Sequence, residues 1–291
     1  MAGRTGVISL PKAWLTTRGI KKGDSLELEE QGASILIKQI GVSSSGLKTS
    51  IDISNTLPMT TRIIAALYKA GYDEFDVQYS TQDELDAIQR VVRQGFIGFE
   101  LLHAGKHHVT IKKVTQPDAS ELPAVFRRML HLITLSAHES LDAMKQHDKE
   151  WLQSIITRDQ DVNKLADFCR RMHAQQQHPR ASQHNFITDM FEKVGDAYAD
   201  ACKAALEHKP SKQVLELHHR LNTYLEQVSD AYLVFTLEKM PGLGTTNMLL
   251  RQYSFSIAPK IAPEEIPVWF YLNQAREFLF AMTSAMIVAN V

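Results

Sequence analysis

MFEKVGDAYADACKAAL, residues 190–206, carries the pattern Glu192-Lys-Val-Gly-Asp196-Ala-Tyr, and the pattern returns as Glu226-Gln-Val-Ser-Asp230-Ala-Tyr. On a helix each copy sets two carboxylates four residues apart on one face. Carboxylates so spaced can share a hard cation through oxygen ligands, or pool around a metal with those of a facing helix. They equally make an exposed acidic face paired with Lys193 or Lys239. Helical periodicity extends outward from these motifs. Val125, Met129, Leu132, Ile133 and Ser136 form one stripe; Leu152, Ile155, Ile156, Val162, Leu165, Phe168 and Met172 form another. Further helices are expected over 183–208, 211–240 and 266–290, punctuated by Pro210, Pro241-Gly242 and Pro263. Long amphipathic helices with short breaks predict a bundle from residue 120 to 291.

Upstream the period changes. Residues 50–53 and 75–79 read as strands, and 59–70 as a helix stopped by Gly71. Thr81-Gln82-Asp83-Glu84 opens a second helix, with Leu85, Ile88, Val91 and Val92 on one face. Strands over 96–102 and 108–114 flank a turn at Gly105. This β-α-β-α-β-β order predicts a small two-layer α/β domain over 48–116. Residues 1–42 read as short strands and turns: a strand over 7–10 that stops at Pro11, then Leu26 and Leu28, then Ile35 to Ile37 after a turn at Gln31-Gly32. The Ser/Gly run 41–46 reads as a linker. The expected class is therefore multidomain α+β.

Composition narrows the function. With 291 residues, 44% hydrophobic and 22% charged, the chain has length for about two domains with buried cores. A net charge of -1 excludes a uniformly basic nucleic-acid binder. It conceals a local asymmetry: Arg4, Lys12, Arg18, Lys21 and Lys22 fall in the first 23 residues without an acidic one, and Asp24, Glu27, Glu29 and Glu30 follow. Such a cluster is either a solvated face or a patch that attracts a phosphate backbone through counterion release. Cys169 and Cys202 lack CxxC or metal-ligand spacing and read as reduced, buried thiols. No signal-peptide pattern opens the chain, and the apolar run 278–291 is too short to span a bilayer, so a cytoplasmic protein without membrane insertion is expected. The histidine pairs 107/108 and 218/219, and His131 with His138, read as satisfied or surface groups. Pro241-Gly-Leu-Gly-Thr-Thr246 lacks the Lys-Ser/Thr of a phosphate loop and reads as a break between helices. Trp269, Phe270, Leu272, Phe278 and Leu279 read as bundle core. With no poised nucleophile or acid–base pair, an enzyme is not expected.

Three resemblances add to this reading. ISLPKAWLTTRGIKKGDSLELEEQGASILIK, residues 8–38, resembles the swapped-hairpin fold of the AbrB, SpoVT and MazE proteins, in Leu10-Pro11-Lys12 and in Gly19-Ile20-Lys21-Lys22-Gly23-Asp24. Pro11 suits the first turn of the short helix, Gly19 its left-handed exit and Gly23-Asp24 the turn that follows. The resemblance implies a homodimer by strand exchange and duplex-DNA contacts from Arg4, Lys12, Arg18, Lys21 and Lys22. MFEKVGDAYADACKAAL and IITRDQDVNKLADFCRRM (155–172) resemble helices of the PhoU proteins. That implies a divalent or ferric ion held on Asp159, Asp161, Glu192 and Asp196, with Glu226 and Asp230 as further candidates. Asn163 and Ala197 depart from the family pattern of a carboxylate and a histidine, and an amide is a weaker ligand for a hard cation. The segments 63–79 and 95–102 resemble the α/β piece found between these modules in archaeal PhoU-like regulators. Together they imply a DNA-binding regulator of phosphate uptake, with phosphate-transport or sensor proteins as partners. The alternative is a PhoU-like interaction protein that does not bind DNA and whose hairpin only dimerises.

Overall fold

A computed structural model describes residues 7–31, 34–39, 46–115, 119–175 and 180–291. Its contacts divide the chain into two compact units, Met1–Leu47 and Lys48–Val291.

The first unit holds α1 (Lys12–Arg18) and an antiparallel hairpin of β1 (Leu26–Gln31) and β2 (Ser34–Gln39). Pro11 precedes α1 and its carbonyl accepts from the amide of Leu15 at 3.1 Å. Gly19, at φ 65°, closes α1 in the left-handed conformation that a side chain would strain, and its amide caps Thr16. Residues 7–10 are not a strand, contrary to expectation. A strand needs a ladder partner, and among the described residues the hairpin's two strands pair only with each other. Arg4, the turn residue Gly32 and most of the 41–46 linker lie outside the described residues.

In the second unit, β3 (Lys48–Asp52), α2 (Thr60–Lys69), β4 (Glu74–Gln78), α3 (Gln82–Gly95), β5 (Phe99–Gly105) and β6 (His108–Lys113) follow the expected order. The sheet runs β3-β4-β6-β5, with β3 and β4 parallel and the other pairs antiparallel. Ile53, Ile64, Tyr68, Phe75, Val77 and Ile88 fill the space between sheet and helices. The start of α3 is a capping box in which Thr81 accepts from the amide of Glu84. The Glu84 carboxylate in turn accepts from the amides of Ser80, Thr81 and Asn55, at 2.8, 3.0 and 2.6 Å. These donors, Ser80 foremost, draw its pKa down to about 2.

The helices are α4 (Leu122–Gln146), α5 (Lys149–Gln175), α6 (Ala181–Ala205), α7 (Lys212–Leu233), α8 (Met240–Ile257) and α9 (Ile266–Asn290). Three expectations fail here. The helix expected over 211–240 ends at Leu233, and the glycine-rich run opens α8 instead of breaking the chain. Pro241 sits in the first turn, where its missing N–H costs nothing, and Leu243, Leu250 and Ile257 give α8 a buried face that outweighs the two glycines. Phe270 is exposed, not core, because α9 buries the face of Val268, Leu272, Ala275 and Leu279. Arg171 on α5 fastens the α/β layer to the bundle. It is 3% exposed and donates to the carbonyls of Tyr68 and Tyr72 and to Asp73 Oδ1, at 3.0, 2.6 and 2.5 Å.

Candidate functional site

Two regions carry the residues singled out in the sequence. In the first unit Lys12, Lys21 and Lys22 are exposed. Arg18 lies at the end of α1, and Arg4 is outside the described residues. Asp24 accepts from the amide of Lys21 at 2.8 Å, which ties the two-lysine turn to the start of the hairpin. Leu26, Leu28, Ile35 and Ile37 fall on one face of the ladder. On that face Leu28 and Ile35 are 63% and 61% exposed, and Val7 before the helix is 93% exposed.

The second region is the α5–α6 contact. Asp159 from α5 meets Glu192 and Asp196 from α6. Burial, then the charges of Asp196 and Glu192, push the Asp159 carboxyl up to about 7. Burial and Asp196 push Glu192 up as well. Gly195 lets the helices approach: a Cβ there would lie 3.5 Å from Asp159 Oδ1 and 3.3 Å from Val162. Two cations moderate the carboxylates. Lys193 reaches Asp196 at 2.7 Å and Glu192 at 3.3 Å, and Arg170 reaches Glu192 at 3.3 Å and Asp189 at 2.5 Å. Asn163 donates its amide to Asp159 Oδ2 at 3.0 Å.

The remaining candidates stand apart. Asp161, two residues from Asp159 and so turned away from it, is exposed. Glu226 on α7 pairs with His138 on α4 at 2.8 Å, each 48% exposed. Asp230 is exposed, and Lys239 binds the carbonyls of Val234 and Asp230 rather than a carboxylate. His138 is the satisfied surface histidine that the sequence suggested, and Arg170 was not foreseen. Arg170 follows Asp167 by one turn, which marks a local pair, but its reach to α6 has no signature along the chain.

Among the described residues no group of three or more His, Cys, Asp or Glu forms a ready metal centre. Asp159 Oδ1 is buried without a hydrogen-bond partner, whereas Glu192 Oε2 is held in ion pairs with Arg170 and Lys193. A void of about 10 Å³, close to the minimum for one water, adjoins Asp159. Oxygen donors of this kind bind Mg²⁺- or Ca²⁺-type ions.

Residues 1–43 match the family described as antidote-toxin recognition MazE, bacterial antitoxin. The crystal structure of the phosphate transport system regulatory protein PhoU from Streptococcus pneumoniae aligns with a TM-score of 0.52 and 17% identity, over 60% of this chain and 95% of that one. The chain joins a MazE-type domain to a bundle of the PhoU fold. No curated protein sequence matches it. At that identity the PhoU likeness speaks for the fold alone. Neither the MazE-type nor the PhoU match is to an enzyme, and among the described residues no helix is long and apolar enough to cross a membrane.

Proposed function

We propose that the chain is a homodimeric DNA-binding regulator whose MazE-type heads grip duplex phosphates while the PhoU-like bundle senses a signal or docks a partner of phosphate transport. The observation that carries this is the state of the hairpin unit. It presents Lys12, Lys21 and Lys22 to solvent beside apolar side chains that lack cover within its own fold. A unit this small buries too little to stand alone, and a second copy would cover Val7, Leu28 and Ile35 while doubling the cations. Arg4 and Arg18 extend the same patch in sequence.

A salt series on the full chain bound to duplex DNA tests it. The logarithm of affinity should fall linearly with the logarithm of salt concentration, and the triple variant Lys12→Glu, Lys21→Glu, Lys22→Glu should flatten that slope by about six, three lysines from each of two copies. Absence of salt-dependent retention would sink the DNA half.

A second reading has its own support, since the matching family is described by antidote-toxin recognition. Here the hairpin only dimerises, and the bundle regulates a phosphate transporter or sensor. Charge reversal at Arg4, Lys12 and Arg18 separates the two: loss of DNA binding with an intact dimer supports the regulator. Within either reading the Asp159, Glu192 and Asp196 cluster holds a divalent or ferric ion. Metal content of the purified chain should then drop in Asp159→Asn and stay unchanged in Glu226→Ala.

A further inference from the structure

We propose that the end of the bundle where α4, α5, α6, α7 and α9 meet is a binding site for a small aromatic organic anion. A cavity of about 380 Å³ opens there, within the size range of small-molecule pockets. One wall is made of rings from four helices. His173 of α5 and His184 of α6 stack with centroids 5.5 Å apart and planes within 12°. Phe126 of α4 and Tyr232 of α7 continue the wall with centroids at 4.9 Å, and Tyr232 Oη lies 3.2 Å from His184 Nδ1. Such a wall favours a planar ring, which can lie offset or edge-on against it. Leu233, 45% exposed, extends the apolar surface at the edge.

The sign of the ligand follows from the side chains. Arg127 lines the cavity, and among the described lining residues there is no Asp or Glu. The five helix ends bring partial charges of both signs, so they do not decide the matter. Burial lifts the Tyr232 phenol to about 12, so it stays neutral in the cavity wall, where its hydroxyl meets His184 Nδ1. A guanidinium, a phenol and two imidazoles beside an apolar floor suit a carboxylate or sulfonate carried on a ring. The site belongs to the bundle and is independent of the DNA and metal readings.

Calorimetric titration of the full chain with salicylate, and with benzyl alcohol as the neutral counterpart, tests this. Salicylate should bind saturably, one per chain, and the alcohol should not. Arg127→Glu should weaken salicylate at least about tenfold by reversing the charge at the rim. Leu233→Trp should abolish binding by filling the mouth. Both positions are exposed, so the unliganded Tm of each variant should match the parent and separate lost binding from lost folding. No saturable salicylate binding, parental affinity in either variant, or equal binding of benzyl alcohol would each overturn the proposal.

Discussion

The two copies of the Glu-x-x-x-Asp-Ala-Tyr pattern lie on consecutive helices of one bundle and live in different environments. In the α6 copy Glu192 is 13% exposed and faces Asp159 across Gly195, with Arg170 and Lys193 seated on it. In the α7 copy Glu226 is 48% exposed and meets one half-exposed histidine, and Asp230 faces water. The tyrosines differ as well. Tyr198 is fully buried and donates to Asn222 Oδ1 at 2.9 Å, whereas Tyr232 lines the cavity at the bundle end. Four-residue spacing puts carboxylates on a common face, but whether that face is a site depends on what a second helix brings to it.

The largest break in this contrast should come from Arg170→Met. It strips a guanidinium from the largely buried Glu192 and should cost about 3–5 kcal/mol in chemical denaturation. An Arg170→Met chain as stable as the parent would mean that the α6 copy is as solvated as its twin.

Next in size is the pH response of Asp159. Its folded pKa of about 7 stands above the ordinary 3.8, so ionisation opposes folding. Stability from this group is intact below about pH 4 and falls as pH rises through 7. Asp159→Asn should therefore stabilise the protein by about 2–4 kcal/mol at pH 8 in metal-free buffer and have little effect near pH 4. Parallel pH profiles for the parent and Asp159→Asn would refute the difference. The smallest effect belongs to His138→Ala, expected at about 0.5 kcal/mol because both partners are half exposed. A loss several times greater would bring the α7 copy level with the first.

Much of the fold was legible along the chain because it rests on local signals. The capping residues of α3, the left-handed glycines Gly19 and Gly71 and the apolar stripes of α4 and α5 act within a turn or two of themselves. Misreadings arose where a local signal competed with packing. Pro241 and its glycines looked like a break until the buried face of α8 prevailed, and Phe270 looked like core until α9 chose another face. The strand expected over 7–10 has the right residues and no partner among the described residues.

The candidate sites divide along the same line. The basic head was readable because Lys12, Lys21 and Lys22 lie within eleven residues of one another on a short, solvent-facing unit. The residues themselves showed the acidic cluster only as far as its spacing, and the grouping of Asp159 with Glu192 and Asp196 came through the PhoU resemblance. The sequence alone determined that each helix would carry its carboxylates on one face, since helical pitch is a property of the local backbone. Tertiary structure alone decided that Asp159 would stand against Glu192 and Asp196, that Arg170 would reach α6, and that rings from four helices would wall a cavity. Those are encounters between residues distant in the chain, and they depend on which faces pack to exclude water.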